Sequence, residues 1–368
     1  MTVNFEDQIV IYSEEERARG YIERAWGART TFTCAIGNTE TAKVPGLSAA
    51  GAVPQITDFT PAADMELLHY GEVRCMNGIP VTPEGIPTPA LITMSSLLLA
   101  AMPTFVVNSG MRILPHTPFF DVGGEPGEDI RTGSAVRDPK KVYDRAVTLG
   151  EVLARTTEHL VVSESIAGGT TTALAVLMAM GVADDNMVSS SMPVNPKDLK
   201  TRVVEEAFVK ANIEKGSLSK DPMGAIARVG DPMMPANAGL IVGAARHVPV
   251  LLAGGTQMAS VLAIVSKMEP SVLDNVAMGT TRWIMNDGTA DMARIVAASG
   301  KVPLMSTNLN FGESRHEGLR VYERGFVKEG VGCGGSALAA YLASKGKVTC
   351  DRLVAEIERN YEKLLSMA

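Results

Sequence analysis

The sequence predicts an α/β fold: a doubly wound, Rossmann-like parallel sheet with a smaller domain built from N- and C-terminal segments. Three observations predict it. From about residue 90, short apolar runs alternate with helical patterns, as in a parallel sheet covered on both faces. Several strand-to-helix junctions are Gly-rich turns, among them Gly168-Gly169 and Gly254-Gly255. Aromatic residues are only 5% of the chain, against 46% hydrophobic residues, 35 Gly and 20 Met. A core of small aliphatic side chains suits helices on a buried sheet and not an aromatic platform for nucleic acid.

The elements follow in order. Ile9 to Tyr12 is a strand, and Ser13 ahead of Glu14-Glu15-Glu16 reads as a helix N-cap. Phe32 to Ile36 is a second strand. Cys75 to Pro89 carries Pro80, Pro83, Pro87 and Pro89 and reads as a long functional loop. Leu91 to Met102 is an apolar helix, Thr104 to Asn108 a strand, and Pro115 to Gly133 a loop. Lys140 to Thr156 is an amphipathic helix. His159 to Ser163 is a strand followed by a helix from Thr170 to Met180. Val248 to Ala253 is a strand followed by a helix to Val265. Val272 to Ala277 and Val302 to Met305 are further strands. Cys350 to Ala368 is amphipathic and packs outside the sheet. The division expected is an α/β core over 90–345, with 1–89 and 346–368 forming the accessory region.

Composition excludes several classes. A net charge of −7 gives no basic footprint for nucleic acid. The four Cys are dispersed without a CxxC pair, and the five His show no HExxH spacing. Neither a disulfide framework nor a metal site is expected. No apolar run approaches the ~20 residues of a membrane span, and residues 1–20 lack a signal-peptide core. The expectation is a cytoplasmic enzyme without cofactor.

Three turns can carry chemistry. Ser163 to Thr172 follows a strand and opens a helix. Its Gly168-Gly169 pair and its Thr170 and Thr171 hydroxyls make an anion site, or else an ordinary tight turn. No Lys follows, so it is not a Walker A loop, and no GxGxxG supports a dinucleotide oxidoreductase. Gly254-Gly255 repeats the context. Lys328 to Ala337 holds four glycines, Gly332 and Gly334 among them, and Glu329 as its only acid. Close approach of backbone to a ligand and tight helix–sheet packing both account for such glycines. Asn38 to Thr41 and Asp287-Gly288 read as caps and turns, and Cys333 lacks a matching His signature.

The order of these motifs resembles the nicotinate-nucleotide–dimethylbenzimidazole phosphoribosyltransferase family, over roughly residues 145–345. Glu164 to Thr171 matches E-x-G-x-G-N-T-T in length, with Ile166 for a Gly and Gly169 for the Asn. Leu199 to Ala207, Asp221 to Asp231, the stretch RHVPVLLAGGTQMAS and Gly335 to Ala339 are similar to later family segments. The first 140 residues resemble the divergent archaeal-type relatives. In bacterial members the last loop reads G-E-G-[ST]-G and its Glu is taken as the base. Here that place falls on Gly332 or Cys333, and Glu329 is the nearest acid.

The resemblance implies transfer of 5-phosphoribosyl from nicotinate mononucleotide to an aromatic base of dimethylbenzimidazole or adenine type. The product is an α-ribotide for the cobamide lower ligand. It implies Glu329 as base and Glu164 as the negative charge near the ribosyl cation. Gly168, Gly169, Thr170, Thr171, Lys200, Gly254, Gly255, Gly332 and Gly334 are the implied binding residues. A homodimer is implied as well, with the small-residue stretch Met233 to Ala245 as its contact. The other reading of the altered loop is a nucleotide-binding or regulatory homologue with changed catalysis.

Overall fold

The computed structural model describes residues 5–48, 54–82, 85–185 and 187–367. Pro83, inside the expected functional loop, lies outside the described residues, as do residues 1–4 and 49–53.

Eight strands form one sheet: β1 Ile9–Ser13, β2 Thr30–Gly37, β3 Thr104–Gly110, β4 Phe119–Asp121, β5 His159–Ser165, β6 Val250–Ala253, β7 Val276–Thr281 and β8 Leu304–Thr307. Their order is β1-β8-β7-β6-β5-β2-β3-β4. Every pair is parallel except β1 with β8. The helices are α1 Glu15–Ala25, α2 Thr60–Tyr70, α3 Ala90–Ala100, α4 Pro139–Ala154, α5 Gly169–Ala179, α6 Lys197–Ala211 and α7 Pro222–Val229. The chain continues with α8 Met233–Ala245, α9 Thr256–Met268, α10 Arg282–Met285, α11 Met292–Ser299, α12 Glu317–Arg320, α13 Cys333–Ala343 and α14 Cys350–Leu365.

Side-chain alternation along the strands divides the core in two. Leu160 and Val162 of β5 and Val250 and Leu252 of β6 join the layer built from α4, α5, α8, α9 and α11. Val161, Leu251 and Ala253 join the opposite layer, from α1, α2, α3, α13 and α14. The doubly wound α/β fold is therefore present, with one antiparallel edge strand. The segment expected as an accessory region, 1–89, is integral to this sheet, because its strand β2 lies between β5 and β3. That position is where strand order reverses, and ligands of such sheets bind beyond the strand ends there.

Local differences have physical causes. Ser13 ends β1, where its hydroxyl donates to Val302 O at 3.1 Å, and Glu14 holds the cap position at φ +53°. The strand expected from Val272 starts instead at Val276, because Pro270–Asn275 winds into a 3₁₀ turn. Helix α8 is buried along its whole length, so Met233 to Ala245 supplies no surface for a dimer contact. It packs on α4, and Cβ atoms added to Gly239 and Gly243 would come within 2.4 and 2.1 Å of the Tyr143 and Val147 carbonyls. Among the described residues no helix is long and apolar enough to cross a membrane.

Candidate active site

The first Gly-rich turn leaves β5 beside the end of β2. Glu164 is buried there, and its Oε2 accepts from Ile166 N at 3.1 Å and Gln257 Nε2 at 3.0 Å. Gly168 takes φ +75°, and a Cβ on it would lie 2.8 Å from the backbone of Ala42. A Cβ on Gly169 would meet the Gln257 amide at 2.3 Å. Both glycines thus let neighbouring segments close over the start of α5. Thr170 reaches the surface in part. Thr171 is fully buried, and its hydroxyl finds no partner among the described residues. The next hydroxyl, of Thr172, donates to Asp231 Oδ2 at 2.5 Å.

The second and third turns meet. Glu329 lies against the β6–α9 turn: a Cβ on Gly255 would be 3.7 Å from the Glu329 Cβ, and one on Gly254 would be 4.0 Å from Oε2. Glu329 Oε1 accepts from Gly334 N at 3.0 Å. That N–H is therefore committed within the protein. Added Cβ atoms on Gly332 and Gly334 would lie 2.6 Å from Ser163 Cβ and 2.1 Å from the Thr280 carbonyl carbon. These two glycines allow α13 to start directly on the strand ends. The loop leading there is strained, with Val327, Lys328 and Val331 all at positive φ.

Electrostatics separates the two carboxyls. Burial pushes Glu329 up to about 7, against the pull of its backbone donors. Burial raises Glu164 well above the usual carboxylate range, and the neighbouring charges of Glu329 and Asp231 raise it further. Burial and the Glu329 charge also push the Cys333 thiol well up, which removes it as a thiolate nucleophile.

The lysines stand behind the second turn. Lys200 is 1% exposed, and its Nζ donates to Ser189 O at 2.6 Å and Asn195 Oδ1 at 3.1 Å. Burial, with the charge of Lys328, lowers it to about 7. Lys328 does not pair with its neighbour Glu329 in solvent. Its ammonium turns inward to Asp287 Oδ2, which also accepts from Ser189 Oγ at 2.6 Å. Burial works against the Asp287 carboxylate, but bonds from Ser189, Thr289 and Lys328 hold it below its usual value. Ser189 N donates to Thr256 Oγ1 at 3.1 Å, which ties this cluster to the start of α9.

The fold thus gathers Glu164, Glu329, Gly168, Gly169, Gly254 and Gly255 at the strand ends, with Lys200 one residue removed through Ser189. Sequence reasoning missed Gln257, Asp231, Ser189 and the Lys328–Asp287 pair. It also missed Asp64 of α2, whose oxygens accept from Thr88 Oγ1 at 3.0 Å and Ser165 Oγ at 2.7 Å. Burial raises Asp64 and Asp231 to about 6 each. Asp287-Gly288 was visible as a turn, whereas nothing local marks Asp64.

A family model described as "Phosphoribosyltransferase" matches residues 121–315. The chain is 46% identical to "UPF0284 protein" of Sulfolobus acidocaldarius over 91% of its length and 95% of the relative's. It is 45% identical to the protein of that name from Methanothermobacter thermautotrophicus, over 88% of this chain and 90% of the other. Among solved structures, CobT from Thermus thermophilus superposes with a TM-score of 0.59 at 18% identity, covering 90% of both chains. A second structure from that organism, titled as a nicotinate-nucleotide-dimethylbenzimidazole phosphoribosyltransferase, gives 0.56 at 18% identity over 92% of both.

Proposed function

Because the chain belongs to the phosphoribosyltransferase family whose model covers residues 121–315, we propose that it moves 5-phosphoribosyl from nicotinate mononucleotide to an aromatic base. The product is an α-ribotide of the kind used as a cobamide lower ligand. The observation that carries this reading is the pair of carboxyls, Glu164 and Glu329, held between two Gly-rich turns at the strand-order reversal. Among the described residues neither pairs with a cation. Nicotinate mononucleotide brings one, its pyridinium ring. A bound cation favours the ionised form of a buried acid, so it draws Glu164 back toward carboxylate at the place where ribosyl charge develops.

The bond from ribose C1 to the pyridinium nitrogen breaks, and its electron pair leaves with nicotinate as a neutral ring nitrogen. The acceptor nitrogen forms the new bond to C1, and Glu329 takes its proton. With a pKa near 7, Glu329 is matched to that task at neutral pH. The 5′-phosphate is held by N–H groups at the start of α5, near Gly168 and Gly169, and by Lys200 and Lys328. Thr170 and Thr171 supply hydroxyls. Lys328 pairs with Asp287, and Lys200, held at about 7 behind Ser189, gains its charge when an anion binds. The protein acts as a homodimer through a surface other than α8.

The test is direct. The protein is incubated with nicotinate mononucleotide and a panel of benzimidazoles, purines and phenols, and free nicotinate is measured. Acceptor-dependent release of nicotinate is expected. Tight mononucleotide binding without release under any acceptor would leave a nucleotide-binding homologue instead.

A further inference from the structure

Three consecutive residues at the start of α9 each touch a different part of the site. Gly255 lies against Glu329, with 3.7 Å between an added Cβ and the Glu329 Cβ. The Thr256 hydroxyl accepts from Ser189 N at 3.1 Å, on the side of the lysines. Gln257 is half-buried and reaches the other way, donating from Nε2 to Glu164 Oε2 at 3.0 Å. Of the three, Gln257 has no part in the phosphoribosyl transfer proposed above.

The fold makes room for this contact. A Cβ on Gly169 would lie 2.3 Å from Gln257 Nε2 and 2.8 Å from its Cδ. The bare backbone of Gly169 therefore admits the amide, which bridges the first Gly-rich turn to the second. The other donor to Glu164, Ile166 N, approaches from the first turn itself at 3.1 Å. Both donors sit on Oε2, so they fix the plane of the carboxyl and leave Oε1 for the substrate. The chemistry of the donor fits as well. A neutral amide orients the carboxylate without cancelling the negative charge that stabilises a ribosyl cation. A lysine in its place would neutralise that charge, and a second carboxylate would oppose its ionisation.

We propose that Gln257 is a positioning residue for the transfer: its amide holds Glu164 Oε2 so that the other oxygen meets the ribosyl cation in one fixed orientation. This rests on the transfer reaction proposed above. Gln257 touches no reacting atom and acts only through Glu164. Misplacing a charge that works in the transition state slows the chemical step more than it weakens ground-state binding. The effect therefore belongs in kcat and not in the KM for nicotinate mononucleotide.

Gln257→Met keeps the length and volume of the side chain and removes the donor. With the base of the panel that releases nicotinate fastest, it should lower kcat about 10- to 100-fold. The KM for nicotinate mononucleotide should stay within threefold and the melting temperature should not move. Glu164→Asp keeps the charge but withdraws it from the amide. In that background Gln257→Met should cost less than twofold further, because residues that act through one contact are not additive. If Gln257→Met does not fold, Gln257→Ala takes its place, and if Glu164→Asp leaves no turnover, the single variant decides. A Gln257→Met enzyme within twofold of the wild-type kcat, a loss carried by KM instead, or an undiminished loss in the Glu164→Asp background overturns the positioning role while the transfer reaction stands. A wild-type protein releasing no nicotinate with any base overturns both.

Discussion

Lys328 Nζ lies 2.9 Å from Asp287 Oδ2, and both side chains are only 4% exposed. Lys200 stands beyond Ser189, whose hydroxyl donates to that same Asp287 oxygen. Lys328 is thus neutralised by Asp287, while burial and the Lys328 charge hold Lys200 at about 7, so a bound anion favours its charged form.

That arrangement sets the first prediction. Lys328→Met and Lys200→Ala should each weaken nicotinate mononucleotide binding by about one to two decades, the worth of a charge-assisted bond to phosphate. Binding of the free base should be untouched. Calorimetry with both ligands on each variant measures this, and unchanged mononucleotide affinity in both would remove the phosphate role.

The second concerns the two glutamates and pH. Glu329→Gln should lower turnover by about 10²–10⁴ with mononucleotide affinity nearly intact. If Glu164→Gln alone abolishes activity, the base is Glu164. In the free protein Glu329 titrates near 7 and accepts a proton only above that value, so kcat/KM should rise with pH toward 7. Lys200 also titrates near 7 and loses its charge above it, so the profile should fall again on the alkaline side. The expected bell is narrow and centred near neutrality. Lys200→Arg keeps the cation at all accessible pH and should flatten the alkaline limb.

The third concerns Glu66, which lies on α2 two residues from Asp64. Burial alone would raise it, yet bonds from His116, Arg74 and Cys75 hold it down at about 2. Its folded pKa lies below the ordinary 4.5. Its contribution is therefore complete above pH 4.5 and is lost as pH falls toward 2. The magnitude is about 3 kcal/mol at neutral pH. Denaturant titrations between pH 7 and 3 should show the wild type losing stability below pH 4.5. Glu66→Gln should start lower and lose less over that interval.

The sheet was largely legible because its strands carry short apolar runs that end at Gly-rich or polar turns. β2, β3 and β5 begin or end within a few residues of where Phe32, Thr104 and His159 placed them. Glu329 was legible as the only acid in its loop. What escaped depends on contacts distant in sequence. Helix α2 is buried nearly all round, so no polar stripe marked it and Asp64 went unseen. Lys328 reads as a surface lysine until Asp287 closes on it. Helix α8, apolar all round, fits a subunit contact as well as a core. The close approach of Gly239 and Gly243 to α4 makes it core. β4 has three residues, too short for any periodicity to register.

The place of β2 has a consequence for the time course of synthesis. This strand is made early, yet one neighbour, β5, is translated more than a hundred residues later, and β1 waits for β8 at the far end of the chain. Such distant pairings close slowly. A nascent chain stalled before residue 159 would present β2 as an open apolar edge on a growing polypeptide. The ribosome-bound intermediate of this protein therefore invites chaperone capture along β2, and ribosome-profiled pull-downs should find holdase occupancy ending once β5 has left the exit tunnel.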